Sequence, residues 1–282
     1  MRPGRWGLAG AVLVAAPVLV GIGYTALGAV GVVGVGAQGF GLARIGRVLG
    51  ERAVWSGLGW TLAVATAATA LATAAAVLVA VTFRSTRPGD RAARALALVP
   101  LPVPQIVAAA AAVLLLGQSG YLARLAHALG LIGAPEQMPP LVYDRSGVGL
   151  ILALAWKEAP FLSLIAFSLL AVRGAALEEV ARSLGAPAAE RFRRVTWPLL
   201  WRGMLPAIIA VFIVQAGAYE AAALLAPSDP LALPLLTLER YTDLDLARRA
   251  DAFVLGFVGM LLAALAVAAH EWARHRWELL EP

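Results

Sequence analysis

Apolar runs long enough to cross a bilayer recur six times in this chain, near 8–33, 54–82, 96–117, 147–172, 205–226 and 251–269. A helix needs about 20 apolar residues to traverse ~30 Å of hydrocarbon, and no water-soluble domain can hide six such stretches. Composition agrees: the 282 residues are 61% hydrophobic and 14% charged, where a soluble domain carries about 25% charged residues. The expected fold is therefore all-α, a polytopic membrane protein of six transmembrane helices embedded in a lipid bilayer. The first run is too long for the ~7–15-residue core of a signal peptide and lacks a small-x-small cleavage site at its end, so it reads as the first span.

An even number of spans puts both termini on one side, and the arginines say which. Arg2, Arg5, Arg84, Arg87, Arg91, Arg94, Arg173, Arg182, Arg191, Arg193, Arg194, Arg202, Arg274 and Arg276 fall on the side of the termini, fourteen in all. The other loops hold eight, Arg44, Arg47, Arg52, Arg124, Arg145, Arg240, Arg248 and Arg249, offset there by eight acids. Positive residues mark cytoplasmic loops, so the expected topology is N-in and C-in. Because this distribution accounts for the basic charge, and no basic groove interleaved with stacking aromatics is apparent, nucleic acid is not an expected partner. The expected organisation is an N-terminal span and outer loop over 1–50, a membrane core over 51–272 with a long inner loop at 173–204, and a tail at 273–282.

Three stretches shape the expected bundle. The second span is dense in alanine, from Ala63 to Ala76, and small side chains let helix backbones approach closely. The third opens on Val99-Pro100-Leu101-Pro102-Val103-Pro104, which cannot continue a regular helix and predicts a distorted or late start. Between the fourth and fifth spans, Glu178-Glu179-Val180-Ala181-Arg182-Ser183-Leu184-Gly185-Ala186-Pro187 reads as a short amphipathic helix broken at Gly185 and Pro187. A second short helix follows through Phe192-Arg193-Arg194-Val195-Thr196-Trp197-Pro198, where the chain returns to the membrane. Val180 and Leu184 share one face at i, i+4, and Glu179 and Arg182 pair at i, i+3.

This hairpin resembles the cytoplasmic loop signature of the permeases of binding-protein-dependent type I ABC importers. The pattern is Glu179, Ala181 and Gly185, then nine residues, then Val195, Trp197 and Pro198. Val180 stands where a first alanine is usual, and Trp197 where leucine is commoner. The resemblance, which extends over about 50–270, implies that the hairpin is a coupling helix docking on a separate ATPase. It implies Glu178, Glu179, Ala181, Gly185, Ala186, Phe192 and Pro198 as the coupling residues. It further implies two ATPase subunits holding ATP and Mg, a second permease subunit, identical or similar, and an extracytoplasmic solute-binding protein, in a prokaryotic plasma membrane. The run Leu233-Pro234 and Tyr241-Thr242-Asp243-Leu244-Asp245-Leu246 is reminiscent of the polyamine, thiamine and ferric-iron branches rather than the sugar branch, so a small solute of that kind is expected, with a sugar as the alternative.

Polar residues within or flanking the apolar runs are the candidates for the pathway: Gln105, Lys157, Glu158, Gln215, Tyr219 and Glu220. A central charge costs about 2.5–3.5 kcal/mol to insert and normally faces protein or water. Lining of the solute path and pairing of Lys157 with Glu158 or Glu220 as interhelical glue are both open on this evidence. Gln215 and Tyr219 are expected on one helical face at i, i+4, with Glu220 deep in the fifth span.

Several chemistries have no support. Gly34-Val35-Gly36-Ala37-Gln38-Gly39 matches a dinucleotide fingerprint letter for letter but follows a membrane span instead of a strand. No phosphate-binding Gly-x-x-x-x-Gly-Lys-Ser/Thr occurs, and the single lysine, Lys157, lies in an apolar run, so ATP hydrolysis is not expected of this chain. His127, His270 and His275 are scattered, and the absence of cysteine excludes disulfides and thiol chemistry. An ion-gradient-driven secondary transporter and a non-transporting membrane scaffold remain as rival readings, neither of which explains the hairpin.

Overall fold

The computed structural model describes residues 5–37, 39–85, 87–134 and 137–278. Arg2, Gln38 and the end of the tail lie outside the described residues, as do the side chains of Arg5, His275 and Arg276. Thirteen α-helices and no strand occur among the described residues: α1 (Arg5–Ala29), α2 (Ala43–Leu49), α3 (Arg52–Thr82), α4 (Pro88–Ala97), α5 (Gln105–Leu116), α6 (Tyr121–Ala128), α7 (Val148–Leu169), α8 (Ala175–Ser183), α9 (Ala188–Arg191), α10 (Trp197–Ala216), α11 (Tyr219–Leu225), α12 (Leu233–Tyr241) and α13 (Leu246–Glu278). Six helical segments are long and apolar enough to cross a membrane: Val12–Ala29, Arg52–Thr82, Gln105–Ala128, Val148–Gly174, Ala188–Ala216 and Leu246–Trp272.

Two of these depart from the sequence expectation. The third starts late, as the prolines require: α4 ends at Ala97, turns carry the chain over Val99–Val103, and α5 begins after Pro104. With 12 residues, α5 rises only about 18 Å, and the segment continues past a turn at Gly117 into α6. The fifth begins earlier than 205: α10 starts at Trp197 with Pro198 in its first turn, where proline's missing N–H costs nothing. It already rises about 30 Å over its 20 residues. It stops at Gly217, and α11 begins after a non-helical Ala218 (ψ 78°). Gln215 and Tyr219 therefore do not share a helical face, and Glu220 sits in the first turn of α11 rather than in the interior of the fifth helix.

The chain divides into two compact units, one built from residues up to Gly59 with Leu231–Ala268, the other from Trp60–Pro230 with the residues from Ala269 on. In the first, Tyr24 of α1 meets Phe253 of α13 edge-on at 5.7 Å. A charged network ties α2, α12 and α13 together. Arg47 donates to both carboxylate oxygens of Asp251, at 3.0 and 2.9 Å, and Arg240 lies 2.6 Å from Glu51 and 4.0 Å from Asp251. Asp251 is 1% exposed, so its charge is tolerable only because both arginines reach it. Just before α13, the Asp243 carboxyl is held below the usual carboxylate range, first by the Asp245 backbone N–H. Partial desolvation opposes this, and Arg248 and Arg240 add to the lowering. What that turn contributes to stability is thus complete above the ordinary carboxylate pKa and fades as pH falls through the lowered one.

The second unit has its core where α3, α7 and α10 meet. Ala68, Ala72, Ala76 and Ala80 of α3 are wholly buried in a row four residues apart. Three of them, Ala72, Ala76 and Ala80, pack with Leu162, Ala166 and Leu170 at the end of α7 and beyond, and with Leu200, Met204 and Val211 of α10. This is the close approach that the alanine density predicts. At the start of α7 the preceding loop crosses so closely that a Cβ on Gly149 would stand 2.0 Å from the Leu141 carbonyl oxygen. Only glycine fits there.

Asp251→Asn should lower stability measurably, because it leaves Arg47 and Arg240 facing a neutral amide. The loss should fall toward the lower end of ~3–5 kcal/mol, since Arg47 is half-exposed and can turn to solvent. Thermal unfolding of the purified protein in detergent, compared with Arg248→Gln at the exposed turn, checks this; an unchanged midpoint would mean the network is not stabilising.

Candidate functional site

The hairpin between the fourth and fifth membrane segments is two helical arms, each running without interruption from a membrane helix. α7 passes through a π-helical turn at Leu170–Gly174 directly into α8, with helical dihedrals maintained at Leu170 and Gly174. On the return, α9 passes through a second π-helical turn at Phe192–Thr196 into α10. The sequence reading expected a second short helix on the return; that arm is helical from Ala188 and runs on without a break, so Arg202, counted in the inner loop from the sequence, lies inside α10. The π-turns absorb one extra residue in each arm without opening the helix.

The bend between the arms is a Schellman turn. Gly185 has φ +81°, its N–H donates to Arg182, and the Ala186 N–H donates to Ala181 at 3.0 Å. These bonds satisfy carbonyls that end α8, and a side chain at Gly185 would be strained in the left-handed region. Pro187 caps α9 in extended conformation, and Arg191 donates to the Ala186 carbonyl at 2.8 Å, closing the turn from the other side. The spacing of Ala181, Gly185 and Ala186 is thus the spacing of one helix-stop motif.

The two neighbouring glutamates have opposite surroundings. Glu178 is turned inward, and its Oε1 accepts from Arg84, which follows the end of α3, and from the Thr196 hydroxyl at 2.6 Å. Thr196 is 1% exposed, so Glu178 fastens α8 to the base of α10 and to the end of α3. Glu179 is exposed and pairs with Arg182 at 2.8 Å. Beside it Val180 and Leu184 are 58% and 82% exposed, an apolar stripe at the tip that no described residue covers. Phe192 lies in the second π-turn with its ring 6.3 Å from that of Trp197, which stacks on Trp201 at 5.8 Å. Pro198 sits in the first turn of α10.

Among the described residues no side-chain hydrogen bond or ion pair joins any two of the six candidate pathway residues. Gln215 is buried; Thr69 of α3 donates to its Oε1 at 2.9 Å, and its amide faces the Leu154 carbonyl of α7. It clamps three helices. Lys157 and Glu158 are half-buried on α7, and among the described residues no ion pair joins Lys157 to Glu158 or Glu220. Gln105 is the half-buried first residue of α5, and Tyr219 and Glu220 are exposed at the start of α11. No three potential metal ligands converge among the described residues.

Arg84, Thr196 and Thr69 were not singled out from the sequence. Arg84 and Thr196 are 94 and 18 residues from Glu178, and Thr69 is 146 from Gln215; no local pattern pairs residues at such separations. The one available signal was the arginine immediately after a membrane span, which topology alone already explained.

The family of the binding-protein-dependent transport system inner membrane component matches over residues 72–278, covering α3 from its middle through α13 and including the whole hairpin. A probable molybdenum ABC transporter permease protein of Haloferax volcanii is 31% identical over 181 residues, 63% of this chain and 62% of its own length. The match thus spans about three fifths of that relative. Two solved structures share the fold. A chain of a bacterial ABC transporter involved in the import of the acidic polysaccharide alginate superposes with TM-score 0.71 at 16% identity, over 96% of this chain and 93% of its own. The same kind of transporter in complex with an alginate pentasaccharide-bound periplasmic protein gives 0.69 at 15% identity, over 93% and 90%. The chain belongs to the family of binding-protein-dependent transport system inner membrane components.

Proposed function

We propose that this chain is the membrane subunit of an ATP-driven importer in a prokaryotic plasma membrane, with the hairpin on the cytoplasmic side as the element that a separate ATPase moves. The observation that carries this reading is the pair of unbroken helical arms meeting at a rigid Schellman turn between the fourth and fifth membrane segments. A secondary transporter or a scaffold has no use for such a lever. The exposed stripe of Val180 and Leu184, with Glu179 and Arg182 beside it, is the surface on which the ATPase grips. A displacement there passes along α8 into α7 and along α9 into α10. The contact of Glu178 with Arg84 and Thr196 adds the end of α3, so the three helices that share the central core move as one body.

Two ATPase subunits binding ATP and Mg, a second permease subunit and a solute-binding protein on the outer side complete the assembly; the periplasmic protein in the alginate complex supports the last of these. The solute reading changes. The polyamine, thiamine and iron branches suggested by 233–246 give way to an anion, because the relative named for its solute is a molybdenum transporter and the structural neighbour imports an acidic polysaccharide. Molybdenum in neutral, oxygenated water is the molybdate dianion, and we place it first. The half-buried Lys157, without a carboxylate partner among the described residues, suits an anion's path; the neutral Gln105 and Tyr219 are the further candidates to face it, whereas Glu158 and Glu220 would repel a dianion. Gln215 passes from that group to the helix clamp.

Because the natural chain has no cysteine, a single cysteine at Glu179 or Ala181 is an unambiguous probe. Each should crosslink to the copurifying ATPase in membranes; capture of no nucleotide-hydrolysing partner from either position would end the importer reading. Glu178→Ala should separate hydrolysis from uptake. Losing a charge-assisted contact of about 1–3 kcal/mol predicts a fall in solute uptake of roughly 5- to 150-fold, with ATPase activity and assembly retained, and Glu178→Gln should sit between. For the pathway, Lys157→Gln should cut uptake of molybdate while the subunits still copurify, and unaltered uptake would remove Lys157 from the path.

A further inference from the structure

Against the hairpin, bordered on one side by Glu179 and Arg182, lies a cleft of about 450 Å³ whose walls differ in kind. One wall is apolar: Phe167 of α7, with Leu170 and Ala171 of the π-turn that follows it. The other carries four arginines from two separate stretches of chain, Arg84 and Arg94 from the α3–α4 connection and α4, and Arg182 and Arg191 from the hairpin.

The arginines are not equivalent. Arg84 is neutralised by Glu178, and Arg182 by Glu179. Arg94 and Arg191 have no carboxylate partner among the described residues. Arg94 donates to the Ser85 carbonyl at 3.1 Å and lies 5.7 Å above the Phe167 ring; Arg191 donates to the Ala186 carbonyl at 2.8 Å. Each half-buried guanidinium is thus held by one backbone contact, with most of its five donors not taken up by an acid. With two glutamates against four arginines, the lining carries a net charge of +2. A fixed pair of cations with unmatched donors is a receptor for a phosphate-type oxyanion.

The apolar wall and the location narrow the source. The cleft is set at the end of the membrane segment Val148–Gly174, where a span leaves hydrocarbon, and α4 beside it has no buried residue and an exposed Leu96, as befits a helix lying at an interface. We propose that the cleft binds the headgroup of an anionic phospholipid, its phosphate between Arg94 and Arg191 and its acyl chain along Phe167 and Leu170. Such a lipid cross-links α4 to the hairpin, so the stiffness of the lever depends on the charge of the surrounding leaflet. The proposal rests on the hairpin end lying at the bilayer surface, but not on what grips its outer face.

The test uses the whole purified transporter in detergent, titrated separately with phosphatidylglycerol, phosphatidylcholine and inorganic phosphate, with retained lipid read by native mass spectrometry and unfolding by thermal shift. Phosphatidylglycerol should be retained and raise the midpoint, and Arg94→Gln and Arg191→Gln should each weaken retention about tenfold. Arg94→Lys should recover part of it. Arg91→Gln removes the same charge from α4 outside the cleft and should bind like the natural chain. Equal retention of phosphatidylcholine, an equal loss in Arg91→Gln, protection by inorganic phosphate matching that by the lipid, or no phosphatidylglycerol adduct on the whole transporter would each overturn the proposal. Copurification of the ATPase reads the importer assignment separately, since neither Arg94 nor Arg191 lies on the exposed stripe.

Discussion

Inside a bilayer no water is available to backbone N–H and C=O groups, so every crossing segment must satisfy its own hydrogen bonds and the helices must find each other without a hydrophobic drive. The row of fully buried alanines on α3, four residues apart, meets this second demand. Without Cβ branches in the way, α7 and α10 approach α3 closely enough for Leu162, Leu200 and Met204 to be completely enclosed. Dispersion between close backbones is the attraction here, and it falls steeply with any gap. What is rigid in the second unit is therefore the α3–α7–α10 contact, and α7 and α10 are the two helices that continue into the hairpin.

A lever works only if it does not bend before its load moves. Both arms enter the membrane through π-helical turns rather than loops, and the bend between them is held by Gly185 in a conformation that only glycine adopts without strain. Glu178 gives the arms a common fastening at Thr196 and Arg84. The signature shared with importer permeases can be understood in these terms: Ala181, Gly185 and Ala186 make a helix stop, Pro198 starts a helix, and Glu179, Val180 and Leu184 are left exposed.

Much of the fold was legible because its signals are local. Six apolar runs follow from hydrocarbon thickness, and the late start of α5 follows from three alternating prolines that cannot take up helical bonding. The hairpin followed from a glycine and a proline at the right distance from an amphipathic stretch. The helix break after Gln215 was not legible: Gly217 in an apolar run is compatible with a continuous span, and only the packing of α11 against α5 and α7 favours turning the chain there. That break is why Gln215 and Glu220, five residues apart, belong to different surroundings.

The amino-acid sequence by itself determined the solvent this protein folds in, the number of its crossings and the family pattern of the hairpin, since hydropathy, proline and glycine act over one or two helical turns. Tertiary structure alone decided which of two adjacent glutamates faces inward, that Asp251 is buried between Arg47 and Arg240, and that Arg94 and Arg191 share one cleft. Those outcomes depend on contacts between residues tens to hundreds of positions apart, whose energies are set by distance and burial and leave no periodic trace in the chain.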